Sequence, residues 1–132
     1  MERRKFIVQT ATPFLVFCAA CSKSGVGTSP SNVDFTIDIT STIATPGSSV
    51  IRDGVIVVRV NAQNMVSSFI AVQVECTHAA NPIVWNQSAQ QFNCNLHGSV
   101  FSMTGAVING PANRPLKSFN LSLTGNNLRV TG

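Results

Sequence analysis

Charge is scarce in this 132-residue chain: Asp, Glu, Lys and Arg together make up 11% of it, and tyrosine is missing altogether. Three of the cations, Arg3, Arg4 and Lys5, crowd the first five residues together with Glu2. Beyond that start, six basic residues (Lys23, Arg52, Arg59, Arg114, Lys117, Arg129) face four acidic ones (Asp34, Asp38, Asp53, Glu75). The cations are dispersed, so no nucleic-acid footprint exists and nucleic acid is excluded as a partner. Cysteine is equally sparse. Of four, Cys18 and Cys21 lie near the N-terminus, leaving Cys76 and Cys94 for the folded part. No ten-residue stretch carries a helical apolar stripe, and no apolar run is long enough for a confident transmembrane helix. What remains is a compact domain, 44% apolar, without acidic or basic tails.

The first twenty residues have the layout of a secretory signal: a charged start, a short apolar stretch broken by Thr10, Thr12 and Pro13, then small residues. Ala19-Ala20-Cys21 looks like a bacterial lipoprotein cleavage site, which makes Cys21 the expected lipidated residue. Arg3-Arg4-Lys5-Phe6-Ile7 resembles a twin-arginine export signal. The residues 21–32 are rich in Gly, Ser, Pro and Thr and are expected to form a flexible tether with a reach of ~15–20 Å. The expected organisation is a leader over 1–20, a tether over 21–32 and one domain over 33–132, placed outside the cytoplasm and lipid-anchored on the periplasmic side of a bacterial membrane.

The domain reads as strands. Val33, Phe35, Ile37 and Ile39 alternate with polar residues, and Phe119, Leu121 and Leu123 do the same near the other end. Asp53-Gly54 is a turn signal before the β-branched run Val55–Val60, Phe69–Val74 forms another strand, and Gly125-Asn126-Asn127 turns the chain into Leu128-Arg129-Val130. The pattern predicts an all-β sandwich or small barrel. Trp85 and Phe92 are expected in the core, and Met65 and Met103 as apolar fillers.

Chemistry is concentrated in two short loops, Cys76-Thr77-His78 and Cys94-Asn95-Leu96-His97-Gly98-Ser99. Two thiolates and two imidazoles suit a [2Fe–2S] centre of mixed ligation, with sulfur on one iron and nitrogen on the other. Each loop can then give one ligand to each iron. A structural zinc ion takes the same donor set. Zinc fingers, however, pair cysteine with cysteine and histidine with histidine, and carry a basic helix that this chain lacks.

With the run that follows, through Gly110-Pro111-Ala112 and Arg114-Pro115-Leu116, the segment of about 75–116 resembles the cluster-binding segment of Rieske iron–sulfur proteins. The resemblance implies a Rieske-like antiparallel β-sandwich or barrel with an inserted cluster-binding subdomain. It implies a [2Fe–2S] cluster held by Cys76, His78, Cys94 and His97, tuned by Ser99 and covered by Gly110, Pro111 and Ala112. Quinol-oxidising members of that family commonly carry a disulfide across the cluster; the corresponding positions here are Asn81 and Leu96. Those members also have a tyrosine where this chain has Phe101. Both departures imply a potential below the quinol-oxidising type. The expected function is one-electron transfer to redox partner proteins, without an enzymatic activity of its own. The alternatives are a subunit of a larger quinol-oxidising or periplasmic oxidase complex, the ferredoxin of a ring-hydroxylating oxygenase, and a zinc-bound or metal-free structural lipoprotein.

Overall fold

The computed structural model describes residues 29–132. The leader and Cys21 lie outside the described residues. Ten short strands follow in order: β1 (Asp34–Asp38), β2 (Ser49–Arg52), β3 (Val55–Arg59), β4 (Phe69–Gln73), β5 (Val84–Asn86), β6 (Gln91–Asn93), β7 (Val100–Ser102), β8 (Val107–Asn109), β9 (Asn120–Thr124) and β10 (Asn127–Thr131). They form three antiparallel sheets with the orders β1-β10-β9, β2-β3-β4 and β5-β6-β7-β8. The expected all-β fold is therefore found. Among the described residues the only helix is a single 3₁₀ turn at Val66–Ser68. No helix among them is long and apolar enough to cross a membrane.

β3 explains how the three sheets fit together. All five of its residues are buried. Val55 and Val57 face a core shared with Phe35, Ile37, Leu128 and Val130, whereas Ile56 and Val58 face a second core that contains Cys76, Phe92, Cys94 and Phe101. A strand covered on both faces needs apolar residues at successive positions rather than at alternate ones, which is why 55–58 reads as an unbroken β-branched run. β1, by contrast, alternates buried and exposed residues because only one of its faces is covered. The β2–β3 hairpin turns through Asp53 (φ +52°) and Gly54 (φ +80°), the two left-handed residues a type I′ turn requires. Asp34 and Arg129 form a bidentate exposed ion pair between β1 and β10. The guanidinium holds the Asp34 carboxyl below the usual carboxylate range.

Two residues lie where the sequence did not place them. Arg59 is 4% exposed, and its guanidinium donates to the carbonyls of Ile43, Asn61 and Ala62 and to the Asn64 side chain, with Phe69 stacked against it. A buried cation is tolerated because its donors are saturated by oxygen acceptors. Met65 was expected as a filler, yet it is exposed, on the loop that Arg59 gathers. At the N-terminal edge Pro30 is already docked: it packs on Gly54, and its carbonyl accepts a hydrogen bond from Lys117 Nζ. Residue 30 of the expected tether is thus held against the domain.

Gly105, in the turn between β7 and β8, bonds the third sheet to the segment that returns to β9. It adopts φ +92°, and a Cβ there would stand 2.7 Å from the Leu116 carbonyl oxygen, while Leu116 N–H bonds the Gly105 carbonyl. A Gly105→Ala variant combines a left-handed backbone with that clash and is expected to cost about 1–3 kcal/mol. Thermal unfolding followed by circular dichroism should show a Tm lower by roughly 5–15 °C. An unchanged Tm would contradict the close approach.

Candidate metal centre

The site is built by continuing two strands past their ends. Along β4 and beyond it, Val72, Val74 and Cys76 all belong to the second core, a period of two that carries the first thiol inward. Along β6, Phe92 and Cys94 repeat the pattern. Cys76 is 0% and Cys94 1% exposed, and both are free thiols. The strand period ends there, and His78 and His97 fall on the exposed turns that follow. Their rings meet edge to face, 4.8 Å between centroids and 78° between planes. The structure thus brings the two loops together, with buried sulfurs and exposed imidazoles.

Each loop closes on its own cysteine. Cys76 N–H bonds the Asn81 carbonyl at 2.8 Å and Cys94 N–H bonds the Ser99 carbonyl at 2.8 Å. His78 N–H also points at Cys76 Sγ, 3.4 Å away. Gly98, at φ +81°, makes the tight return from His97, and its N–H bonds the Cys94 carbonyl. Beneath the loops, Trp85, Phe92 and Phe101 stand directly opposite one another across β5, β6 and β7. Trp85 and Phe92 pack edge to face at 4.8 Å, and the indole N–H donates to Gln87 Oε1. The expected packing role of both residues is what the structure displays, with Trp85 half-buried and Phe92 fully buried.

The segment containing Gly110, Pro111 and Ala112 reaches the second ligand loop. Ala112 is buried in the second core, and its N–H donates to Ser99 Oγ at 3.0 Å. Ser99 is fully buried and uses its oxygen as an acceptor here, which leaves its own proton to donate elsewhere. Asn109 Nδ2 approaches the Gly98 carbonyl at 3.4 Å. Sequence reasoning missed three supports. Thr77 Oγ1 donates to the Arg114 carbonyl at 2.6 Å, the Arg114 guanidinium approaches the Thr77 carbonyl at 3.3 Å, and the buried Gln73 side chain links Lys117 N–H to the Glu75 carbonyl. The position of Thr77 between two ligands was the available signal for the first of them.

Among the described residues no three His, Cys, Asp or Glu side chains converge to hold a single metal ion. A tetrahedral zinc site needs three or four protein donors on one ion. A two-iron cluster with bridging sulfides asks for only two protein donors per iron. The donor set of two thiols below and two imidazoles above fits the second arrangement. A shallow apolar groove of about 250 Å³, lined in part by Phe69, Met103, Phe119 and Leu121, includes none of these four residues.

Fold and donors together define a mixed-ligand iron–sulfur domain. The Rieske [2Fe-2S] domain model matches residues 38–120, well over half of the chain, and the chain belongs to that family. It is similar to the cytochrome b6-f complex iron-sulfur subunit of Gloeobacter violaceus, 35% identical over 80 residues that make up 55% of this chain and 42% of that one. It therefore spans less than half the length of that relative. Among solved structures it is similar to the cyanobacterial plasma membrane Rieske protein PetC3 from Synechocystis PCC 6803, with a TM-score of 0.57 and 27% identity over 74% of this chain and 95% of that one. The ferredoxin of carbazole 1,9a-dioxygenase from Nocardioides aromaticivorans IC177 shares the fold, with a TM-score of 0.56 at 24% identity over 79% of this chain and 98% of that one. Membership of the Rieske family implies a [2Fe–2S] cluster in this chain.

Proposed function

We propose that Cys76 and Cys94 ligate the inner iron and His78 and His97 the outer one, and that the protein is a one-electron carrier tethered through Cys21 to the periplasmic side of a bacterial membrane. The observation that carries the ligand assignment is the contrast in burial: sulfurs in the core, imidazoles at the surface. When bound, the cluster supplies a site that accepts and returns one electron. The chain's own residues do the rest. The second core excludes water from the sulfur side, and the two histidines form the point of contact for a partner.

The two ligand loops themselves carry no charged side chain, and the exposed Arg114 guanidinium lies beside the first of them. The stretches 76–82 and 94–99 contain no Asp, Glu, Lys or Arg, and Leu96, 65% exposed, stands next to His97. Short-range apolar fit around Leu96 then adds to the steering that Arg114 supplies in docking with a redox partner. A second reading, as the Rieske subunit of a larger oxidoreductase complex, draws support from the likeness to a cytochrome b6-f subunit. The absent disulfide and Phe101 favour the separate carrier.

Protein-film voltammetry tests the tuning. One reversible one-electron wave is expected, between the quinol-oxidising and oxygenase-ferredoxin types and within about −150 to +300 mV. A midpoint at either extreme would overturn the proposed tuning.

A further inference from the structure

We propose that Asn109 is a site of self-modification: its side-chain amide cyclises onto the Gly110 nitrogen and hydrolyses to aspartate or isoaspartate, which alters the cluster beside it. The effect on the cluster rests on the ligand assignment above, whereas the chemistry at Asn109 does not. Asn109-Gly110 is the single Asn-Gly pair of the chain. Asn109 closes β8, and both residues are exposed, so water reaches them. A Cβ at Gly110 would meet nothing nearer than the Ala112 carbonyl oxygen, 3.8 Å away, and glycine itself carries none. The Gly110 nitrogen is therefore free of crowding as it approaches the side-chain carbon of Asn109. It attacks Asn109 Cγ, a C–N bond forms, and the Cγ–Nδ2 bond breaks. Ammonia leaves with the proton of the Gly110 N–H, and a cyclic succinimide remains. Water then opens the ring at either carbonyl. One opening gives aspartate; the other routes the main chain through the side-chain carboxyl and gives isoaspartate. No oxidant or reductant takes part.

Placement turns this small chemical change into a change at the cluster. Asn109 Nδ2 approaches the Gly98 carbonyl at 3.4 Å, and Gly98 directly follows His97. Gly98 N–H in turn bonds the Cys94 carbonyl. A little further along the chain, Ala112 N–H bonds Ser99 Oγ of the same loop. Asn109 thus stands where β8 hands the chain over to the covering segment, against the second ligand loop. A carboxylate there has no proton to donate and sets a negative charge against the Gly98 carbonyl. Isoaspartate also inserts the side-chain methylene into the main chain, which shifts Ala112 relative to Ser99. Both products ease local opening of the cover. The added charge beside the outer iron favours the oxidised, more positive state.

The test ages purified holoprotein in mildly alkaline buffer and maps its peptides by mass spectrometry, with an enzymatic assay for isoaspartate. The peptide that carries Asn109 is expected to gain about one dalton as ammonia is exchanged for water. Asn95 and Asn126 are also exposed but precede residues with a Cβ, and should stay intact in the same sample. Gly110→Ala, which the open space accommodates, should slow the gain about tenfold by crowding the attacking nitrogen. The aged protein should lose its cluster to excess chelator about fivefold faster, the equivalent of one ordinary hydrogen bond, and show a lower midpoint. Asn109→Asp carries the charge on a regular backbone and should reproduce the lower midpoint without ageing. An unchanged mass at Asn109, or an equal rate of gain in Gly110→Ala, would overturn the modification. Unaged loss rate and midpoint in the modified protein, or an unaltered midpoint in Asn109→Asp, would overturn its effect on the cluster. Fresh protein without a mixed-ligand EPR signal would instead overturn the ligand assignment.

Discussion

Cys94→Ser is expected to abolish the cluster. The thiol sits in the second core with 1% of its surface exposed, so no water can replace it as a ligand without opening the packing around Phe92 and Phe101. Serine offers a harder oxygen that retains its proton near neutral pH, whereas thiolates are the ligands iron–sulfur clusters select. Iron and acid-labile sulfide should fall from two per chain to near zero, and the visible bands should vanish. His97→Ala acts on the exposed side and should also lose the cluster, though through a ligand that solvent can reach. Metal binding contributes folding free energy to the loops that supply the ligands. Hydrogen exchange should therefore show residues 76–100 losing protection in Cys94→Ser, while β1, β9 and β10 keep theirs, because their core is separate. A coloured Cys94→Ser protein with full iron content would contradict the assignment.

Ser99→Ala is expected to lower the midpoint potential while leaving the cluster in place. Ser99 Oγ already accepts the Ala112 N–H, which leaves its own proton to donate elsewhere, and the buried Cys94 thiol that would hold the cluster belongs to the same loop. A donor to sulfur stabilises the reduced, more negative state more than the oxidised one. If the difference amounts to about 1.4 kcal/mol, the one-electron midpoint drops by ~59 mV. The same substitution leaves Ala112 N–H without its acceptor, a further cost of about 1–3 kcal/mol to the covering segment. Voltammetry and thermal unfolding read the two effects separately. An unchanged midpoint with a lowered Tm would reduce Ser99 to a structural support.

Legibility in the sequence followed the range of the interactions. β1 and β9 announced themselves by alternation and β3 by its β-branched run, because each pattern is the direct imprint of one or two covered faces. β5 to β8 are three residues each, and polar neighbours such as Gln91 and Asn93 flank the single buried Phe92. A period cannot be recognised over three residues, so these strands became visible only through their pairing. The four candidate ligands were legible because both motifs are local. The burial of Arg59 was not, since the oxygen acceptors that satisfy it come from a loop whose shape it helps to set. Thr77 and Arg114 escaped notice for a related reason: their bond spans 37 residues and depends on where the covering segment lands.

The proposed centre places two irons between two buried thiolates and two exposed imidazoles. Pulsed EPR of the dithionite-reduced full-length protein, with iron and sulfide analysis of the same sample, tests it most directly. Such a centre should give two irons and two sulfides per chain, a rhombic spectrum with a g average below that of all-cysteine clusters, and hyperfine coupling to two imidazole nitrogens. One zinc per chain with no paramagnetic signal, or a cluster without nitrogen coupling, would contradict it.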